Sequence, residues 1–325
     1  MNNYHIEQGL MATNDAHAML AAVDLIIFDV DGVLVDASQS YPSAIRDAVI
    51  LYYSLFNRNN NMNCSISVED VSLFKQAGGF NDEWHLAYAL CLWVIWHNID
   101  TECLSLRAFV EQLRQRGGGV QAAEEIVQQA ATSYWDVIHT VCQRGIIENM
   151  AKELYGGEDS CEQLFGFSPH YFKKPGYHHL ERDLINPSHL SRWHGRVGIY
   201  TGRNGPETQF VLRRSGLAQF FSSGNCLTTD SGYIKPDPEG IRFILSHGRY
   251  ESALFIGDTL DDLRTVDGYR TRYPHAAPLY FAGVTQGAMG PHSERIFAQH
   301  HADFIAPDAA TLITALNGLT RLASE

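Results

Sequence analysis

The sequence predicts an α/β protein in which a doubly wound parallel sheet is interrupted by an inserted all-helical domain. A short run of branched and aromatic residues ends in two acids, Asp29 and Asp31, as a buried strand does when it opens onto a site. Helical periodicity then continues from residue 41 to about residue 179. After Pro175-Gly176 strands and helices alternate, which is typical of a parallel sheet with helices on its faces.

Composition places the chain among ordinary globular proteins and excludes several classes of partner. Its 325 residues suggest about two domains. The formal net charge of −13, without any basic run, argues against binding to nucleic acid or to an anionic membrane. The six cysteines are scattered, and residues 1–22 lack the pattern of a signal peptide. We therefore expect a cytoplasmic protein with reduced thiols, whose first 22 residues form a short extension without chemistry.

The helical region is predicted to be a separate domain. Apolar residues at three- and four-residue steps indicate a helix over 42–56, and Ser67 with Asp70 forms the pattern of a capping box. Further helices are expected over residues 83–97, 101–115 and 122–144. The triplet Gly117-Gly118-Gly119 could be a phosphate cradle, but no Lys-Ser or Lys-Thr follows it, which favours a helix–helix turn.

This block begins directly after the first strand, so we interpret it as a cap domain over residues 39–182. The catalytic core is then expected to comprise residues 1–38 and 183–325. In its second part the pattern predicts four helices, over 184–193, 207–215, 239–247 and the last residues, and strands over 197–200, 253–256 and 279–284, with a short apolar segment at 302–305.

Polar residues follow three of the predicted strands. Because parallel strands bring their carboxyl ends to one edge of the sheet, residues far apart in sequence should meet there. Each has a simpler explanation on its own: an acidic turn, a helix cap, a solvated lysine or a helix-start acid. Together, in this order, they predict a site formed by Asp29, Asp31, Thr201, Lys235, Asp258 and Asp262.

These motifs resemble those of the haloacid dehalogenase (HAD) superfamily. The resemblance spans about residues 24–318 and rests on four segments, namely 29–34 (Asp-Val-Asp-Gly-Val-Leu), Thr201-Gly202, Lys235-Pro236 and 257–262 (Gly-Asp-Thr-Leu-Asp-Asp). It points to subfamily I phosphatase-like hydrolases with a helical C1-type cap, similar to phosphoglycolate phosphatases, on a HAD-like Rossmannoid core. The segment 75–84 resembles an uncharacterised branch of that family.

The resemblance implies Mg²⁺-dependent hydrolysis of a small phosphorylated metabolite through an aspartyl-phosphate. Asp29 would be the nucleophile and a metal ligand, and Asp258 a second ligand. Asp31 would contribute its backbone carbonyl to the metal and its side chain as general acid and base. Asp262 would belong to the metal site by orienting a metal-bound water or Lys235.

The same resemblance assigns phosphoryl binding to the remaining motif residues. Thr201 and the backbone N–H of Gly202 would hold phosphoryl oxygens, with Arg203 beside them in the substrate site. Lys235 would neutralise charge on the phosphoryl group and on Asp29. The acid two residues after the nucleophile, Asp31, favours phosphate-ester chemistry over dehalogenation or phosphonate cleavage.

Two alternatives to a phosphatase remain open at this stage. A phosphomutase of the β-phosphoglucomutase type would use the same residues but return the phosphoryl group to a sugar. A binding or regulatory protein could keep the fold without turnover, although every motif residue is present.

Within the cap, a polar Gly-Gly turn interrupts apolar helices. We interpret Lys75, Gly78, Gly79, Asn81 and Trp84 as a specificity loop facing Asp29. The alternative is a helix–helix turn in which Asn81 caps the next helix and Trp84 lies in the cap core.

Two histidine pairs stand outside the motifs. Neither His178-His179 nor His300-His301 has a third ligand at helical or strand spacing, so they are expected to be surface or interface residues rather than metal ligands.

Overall fold

The computed structural model describes residues 5–7, 10–12, 16–56, 65–80, 82–287 and 290–319. The chain divides into two compact units. The first comprises residues 1–36 and 182–325, and the second residues 37–181. No helix among the described residues combines the length and the hydropathy that crossing a membrane requires.

The first unit is built on a mostly parallel sheet. In chain order, the strands of this unit are β1 (His5–Glu7), β2 (Leu10–Ala12), β3 (Leu25–Phe28), β4 (Val35–Asp36), β5 (Arg182–Asp183), β6 (Val197–Tyr200), β7 (Cys226–Leu227), β8 (Ala253–Gly257), β9 (Leu279–Val284) and β10 (Phe304–Ala306). Eight of them form one sheet in the order β1-β2-β10-β9-β8-β3-β6-β7. The strands from β10 to β7 run parallel, and β4 pairs with β5 in a separate ribbon.

The amino-terminal segment completes one edge of this sheet. β2 pairs antiparallel with both β1 and β10. The sequence predicted only a short extension over residues 1–22, and it gave no indication that part of this segment forms two strands of the sheet. The apolar triplet Leu10-Met11-Ala12 supplies backbone partners to β10, which would otherwise present an open strand edge.

The central strand β3 is buried on both faces. Ile26 and Phe28 belong to one apolar core, and Leu25 and Ile27 belong to the other. Side chains alternate between the faces of a strand, so a four-residue apolar run serves two cores at once. This is the arrangement of a sheet with helices on both sides.

Helices occur in both units. α1 (Ala16–Ala22) and α9 to α13 belong to the first unit, and α2 to α8 belong to the second. The remaining bounds are α2 (Tyr41–Phe56), α3 (Val68–Gln76), α4 (Trp84–Ile99), α5 (Leu106–Gln115), α6 (Gly119–Ala130), α7 (Trp135–Val141), α8 (Arg144–Phe165), α9 (Gly205–Arg214), α10 (Glu239–Ser246), α11 (Leu260–Arg272), α12 (Ser293–Gln299) and α13 (Ala309–Leu319).

Two helix predictions are wrong in extent. The predicted helix over 122–144 is interrupted after α6 and again after α7, where the Tyr52 hydroxyl donates to Val141 O and accepts from Gln143 N–H. A tertiary side chain thus satisfies backbone groups that a continuous helix would have paired internally. The predicted helix over 184–193 is only a 3₁₀ turn, Pro187–Leu190, opened by the cap residue Asn186.

The core of the second unit is aromatic. α4 is buried around most of its circumference, and it packs against α2, α6 and α8. At its start Trp84 contacts the rings of Tyr41, Tyr155 and Phe165 at centroid distances of 5.2, 5.5 and 5.4 Å. Such ring pairs add to the free energy of burial.

Candidate active site

Asp29 lies where β3 leaves the sheet. Its N–H still bonds to Ile256 O at 2.9 Å, which continues the ladder with β8. Its Oδ1 accepts the Val30 N–H at 2.7 Å, and only 6% of the residue is exposed. Burial raises the pKa of Asp29 to about 6, against the opposing effect of the Lys235 ammonium.

A tight turn follows the strand and leaves room for a second carboxylate. Val30 O accepts the N–H groups of Leu34 and Val35, and Gly32 has a φ of 73°, which favours glycine. A Cβ at Gly32 would lie 2.2 Å from Asp258 Oδ2. Gly32 is therefore required both by the backbone conformation and by the approach of Asp258.

Asp258 and Asp262 follow the neighbouring strand β8. Thr259 caps α11 in a capping box with Asp262. Asp262 Oδ2 accepts the N–H groups of Asp258 and Thr259 and the Thr259 hydroxyl, at 3.2, 3.0 and 2.7 Å. Asp262 is completely buried. Through these three hydrogen bonds it fixes the backbone that carries Asp258.

Lys235 connects the two strand ends. Its Nζ lies 2.9 Å from Asp29 Oδ2 and 2.7 Å from Asp262 Oδ1. Its side chain is 11% exposed. Desolvation disfavours the ammonium, but the carboxylates of Asp262 and Asp29 outweigh it and raise the pKa of Lys235.

The charges of this cluster fit a divalent cation. Asp29, Asp258 and Asp262 offer oxygen atoms that all lie within 4.8 Å of one another, and Lys235 is the ammonium that contacts two of them. Among these four side chains, three carboxylates meet one ammonium. Carboxylate oxygens are the ligands that Mg²⁺ prefers, so the donor set suits that ion.

The second motif lies at the end of β6. Thr201 is buried and its Oγ1 accepts the Arg203 N–H at 3.3 Å, whereas Gly202 is exposed. The Arg203 guanidinium, only 2% exposed, forms an ion pair with Asp31 in which Nη2 lies 2.6 Å from Oδ1. Its Nε also lies 3.2 Å from each Asp31 oxygen. The structure thus brings together the predicted residues of the first two motifs, through a contact that the sequence pattern does not indicate.

Gly287 is a site residue that the sequence interpretation missed. A Cβ there would lie 2.1 Å from Asp258 Oδ2 and 2.2 Å from Asp258 Cβ. Asp258 therefore lies between two glycines, Gly32 and Gly287. In the sequence, Gly287 follows the apolar run of β9 by three residues. The structure then places β9 beside β8, the strand that carries Asp258.

The residues of the predicted specificity loop belong to the second unit. Lys75 Nζ lies 2.5 Å from Glu83 Oε1. Gly78 and Gly79 have φ of 85° and 74°, and Gly78 O accepts the Gly119 N–H at 3.1 Å. Trp84 is buried, and Asn81 lies outside the described residues.

This double-glycine contact explains the glycine triplet between α5 and α6. A Cβ at Gly118 would lie 1.9 Å from Gly78 O, and one at Gly79 would lie 2.6 Å from Gly119 N. The triplet is a turn between two helices, and it packs directly against the second glycine turn. Side chains at these positions would separate the two turns.

Comparisons with known proteins agree with this geometry. A phosphatase from Thermococcus thioreducens is 25% identical, with a TM-score of 0.57, over 84% of this chain and 99% of that chain. A predicted phosphoglycolate phosphatase from Haemophilus somnus is 17% identical, with a TM-score of 0.51, over 90% and 98%, which shows a shared fold. No curated protein sequence matches. The model of the haloacid dehalogenase-like hydrolases matches residues 23–266, so the chain belongs to that family and is a hydrolytic enzyme.

Proposed function

We propose that the protein is a Mg²⁺-dependent phosphatase that hydrolyses a small phosphorylated metabolite through an aspartyl-phosphate on Asp29. The observation that carries the proposal is that Asp258, Asp262 and Lys235 are grouped around Asp29 at the carboxyl end of a central parallel strand. Ligands of open α/β sheets bind at this position. The phosphatase among the structural relatives supports the same chemistry.

Asp29 is suited to the role of nucleophile. The Val30 N–H orients one of its oxygens, and Lys235 contacts the other. A carboxylate that attacks phosphorus forms a covalent intermediate and divides one difficult hydrolysis into two easier steps. Lys235 keeps Asp29 oriented and offsets the repulsion between two anions.

Asp29, Asp258 and the backbone carbonyl of Asp31 would hold Mg²⁺. The bound ion would neutralise charge on the phosphate and bring it to the nucleophile. Asp262 has a different part in this proposal, because one oxygen caps α11 and the other contacts Lys235. It positions Lys235 and the backbone of Asp258.

Asp31 is proposed to donate a proton to the leaving oxygen and then to accept one from the attacking water, a role that typically contributes 10²–10⁴-fold. Two nitrogens of the Arg203 guanidinium, Nε and Nη2, donate to its carboxylate. In this proposal Arg203 positions Asp31, and substrate phosphate competes for the same guanidinium. Thr201 and the N–H of Gly202 bind the remaining phosphoryl oxygens.

The helical unit is proposed to act as the cap that selects the substrate. In many enzymes a loop or domain closes on the bound substrate and excludes water from the reaction. Lys75, Gly78, Gly79, Asn81 and Trp84 remain the proposed specificity loop, with Lys75 as the group that meets the substrate. Trp84 supports the loop from the cap core, because its ring packs on Tyr41 and Tyr155.

The test is phosphate release from a broad panel of phosphorylated metabolites, with Mg²⁺ and with chelator. Asp29→Asn is the diagnostic variant, and Asp136→Asn, an exposed acid of the helical unit, is the matched control. We expect metal-dependent release from one class of compound that Asp29→Asn abolishes and Asp136→Asn retains. Negligible release from every compound, or equal release by Asp29→Asn, would refute the proposal.

A further inference from the structure

A second group of potential metal ligands lies in the helical unit, away from the HAD motifs. It consists of Asp159, His178 and His179, whose ligand atoms all lie within 4.8 Å of one another. His178 Nε2 lies 3.1 Å and His179 Nε2 lies 2.7 Å from the same atom, Asp159 Oδ2. The sequence pattern predicted surface histidines without a third ligand, but the fold supplies one from 19 residues before His178, and His178 is buried.

A crossing of two chain segments creates this cluster. α8 is kinked at Gly157, which has a φ of 64°, and Gly157 forms an isolated bridge with Pro175. The next N–H, that of Glu158, donates to Lys174 O at 3.0 Å. A Cβ at Gly157 would lie 2.1 Å from Gly176 N, so the segments approach this closely only because glycine is present.

The crossing also orients the carboxylate. Asp159 Oδ1 accepts the Gly176 N–H at 3.0 Å, which turns Oδ2 toward the two imidazoles. Desolvation opposes ionisation of Asp159, but the hydrogen bonds from Gly176 and His179 outweigh it and lower its pKa. Backbone support of this kind is typical of residues that hold a metal ligand in place.

The two histidines are adjacent in a 3₁₀ turn, Tyr177–Leu180. Their ring centroids lie 4.1 Å apart, so both rings reach the same side of the turn. The His178 side chain is 2% exposed and that of His179 is 59% exposed. Imidazole nitrogens are common metal ligands.

From this geometry we propose that Asp159, His178 and His179 bind a divalent transition-metal ion of the Zn²⁺ type. A tetrahedral ion with bonds of about 2.0–2.1 Å needs ligand atoms roughly 3.3 Å apart. The two nitrogen–oxygen separations, 2.7 and 3.1 Å, are shorter than this value, and all three ligand atoms lie within 4.8 Å of one another. Two imidazoles and one carboxylate suit Zn²⁺ rather than Mg²⁺, and the exposed edge of His179 leaves the fourth position to water.

The bound ion would clamp the kink of α8 to the segment around His178. This role is independent of phosphate hydrolysis, because the cluster contains no residue of the proposed active site.

The experiment measures Zn²⁺ binding by equilibrium dialysis of chelator-treated full-length protein in excess Mg²⁺, which occupies the carboxylate site. The variants are His179→Ala and Asp159→Asn, and the matched control is His170→Ala, an exposed histidine of the same unit. We expect wild type and His170→Ala to bind one more Zn²⁺ per chain than the two variants. Circular dichroism of His179→Ala should match wild type, since that side chain is largely exposed.

Co²⁺ provides a spectroscopic readout of the ligands. Wild type with one equivalent of Co²⁺ should show visible absorption bands of a low-coordinate site, and His179→Ala should lose them. Equal Zn²⁺ stoichiometry and affinity in all four proteins would overturn the proposal. In that case the three residues form only a hydrogen-bonded cluster.

Discussion

Lys235→Met tests whether charge balance organises the proposed active site. The Lys235 ammonium lies 2.9 Å from Asp29 and 2.7 Å from Asp262, and its side chain is 11% exposed. Methionine matches the apolar stem of lysine as far as Cε but lacks the charged Nζ group. In the metal-free variant, three buried carboxylates would face one another without the ammonium.

The expected cost follows from this burial. Removing one partner of a buried ion pair destabilises a protein by about 3–5 kcal/mol, because the other charge stays behind without compensation. Most of this cost should fall on Asp29, since Asp262 Oδ2 keeps three hydrogen-bond donors. Mg²⁺ should restore part of the lost stability by supplying positive charge to the same carboxylates.

The assay is urea denaturation followed by circular dichroism, in chelator and in saturating Mg²⁺. Lys174→Met, at an exposed lysine of the helical unit, is the control and should match wild type in both buffers. Lys235→Met should lose much more stability in chelator than in Mg²⁺, and its turnover should fall by about 10²-fold or more. A variant as stable as wild type in chelator would refute the charge argument.

Three further outcomes are expected. In chelator, folding raises the pKa of Asp29 from 3.8 to about 6, so the folded state loses stability when Asp29 ionises. Wild type should therefore lose stability relative to Asp29→Asn as pH rises from about 4 to 7. The loss should total about 3 kcal/mol in denaturation experiments, and a pH-independent difference would contradict it. Gly287→Ala should weaken Mg²⁺ binding in calorimetry by about 10–100-fold, because its Cβ would lie 2.1 Å from Asp258 Oδ2. The control Gly318→Ala has no atom within 4 Å of the new Cβ and should bind like wild type, whereas equal affinities would disprove the displacement. Lys75→Ala should raise the KM for the best substrate about tenfold with kcat unchanged, as loss of uniform binding does, and an unchanged KM would remove the support for the specificity loop.

Local patterns predicted the framework of the sheet well. The strand over 197–200 and the one over 279–284 have the predicted bounds, because short apolar runs between turn signals leave few alternatives. The capping box of Ser67 and Asp70 is also confirmed. In each case the determining interaction is local or depends only on apolar burial.

Long-range contacts account for what the sequence interpretation missed. The break in the predicted helix over 122–144 depends on the Tyr52 hydroxyl, which donates to Val141 O from 89 residues away in the sequence. The pairing of Arg203 with Asp31 spans 172 residues. Asp159 reaches His178 only because Gly157 permits a close chain crossing. A periodicity argument contains no information about such contacts.

Under the proposed function, the site has to attract an anion although the chain carries a net charge of −13. The two cations described at the motif residues are already engaged by carboxylates, Lys235 by Asp29 and Asp262, and Arg203 by Asp31. Neither cation can form a full ion pair with a phosphate unless its contacts with these carboxylates weaken. In the proposed function the metal supplies further positive charge next to the phosphate, which makes metal and substrate binding interdependent. Because such coupling is reciprocal, substrate phosphate should strengthen metal binding as much as the metal strengthens substrate binding.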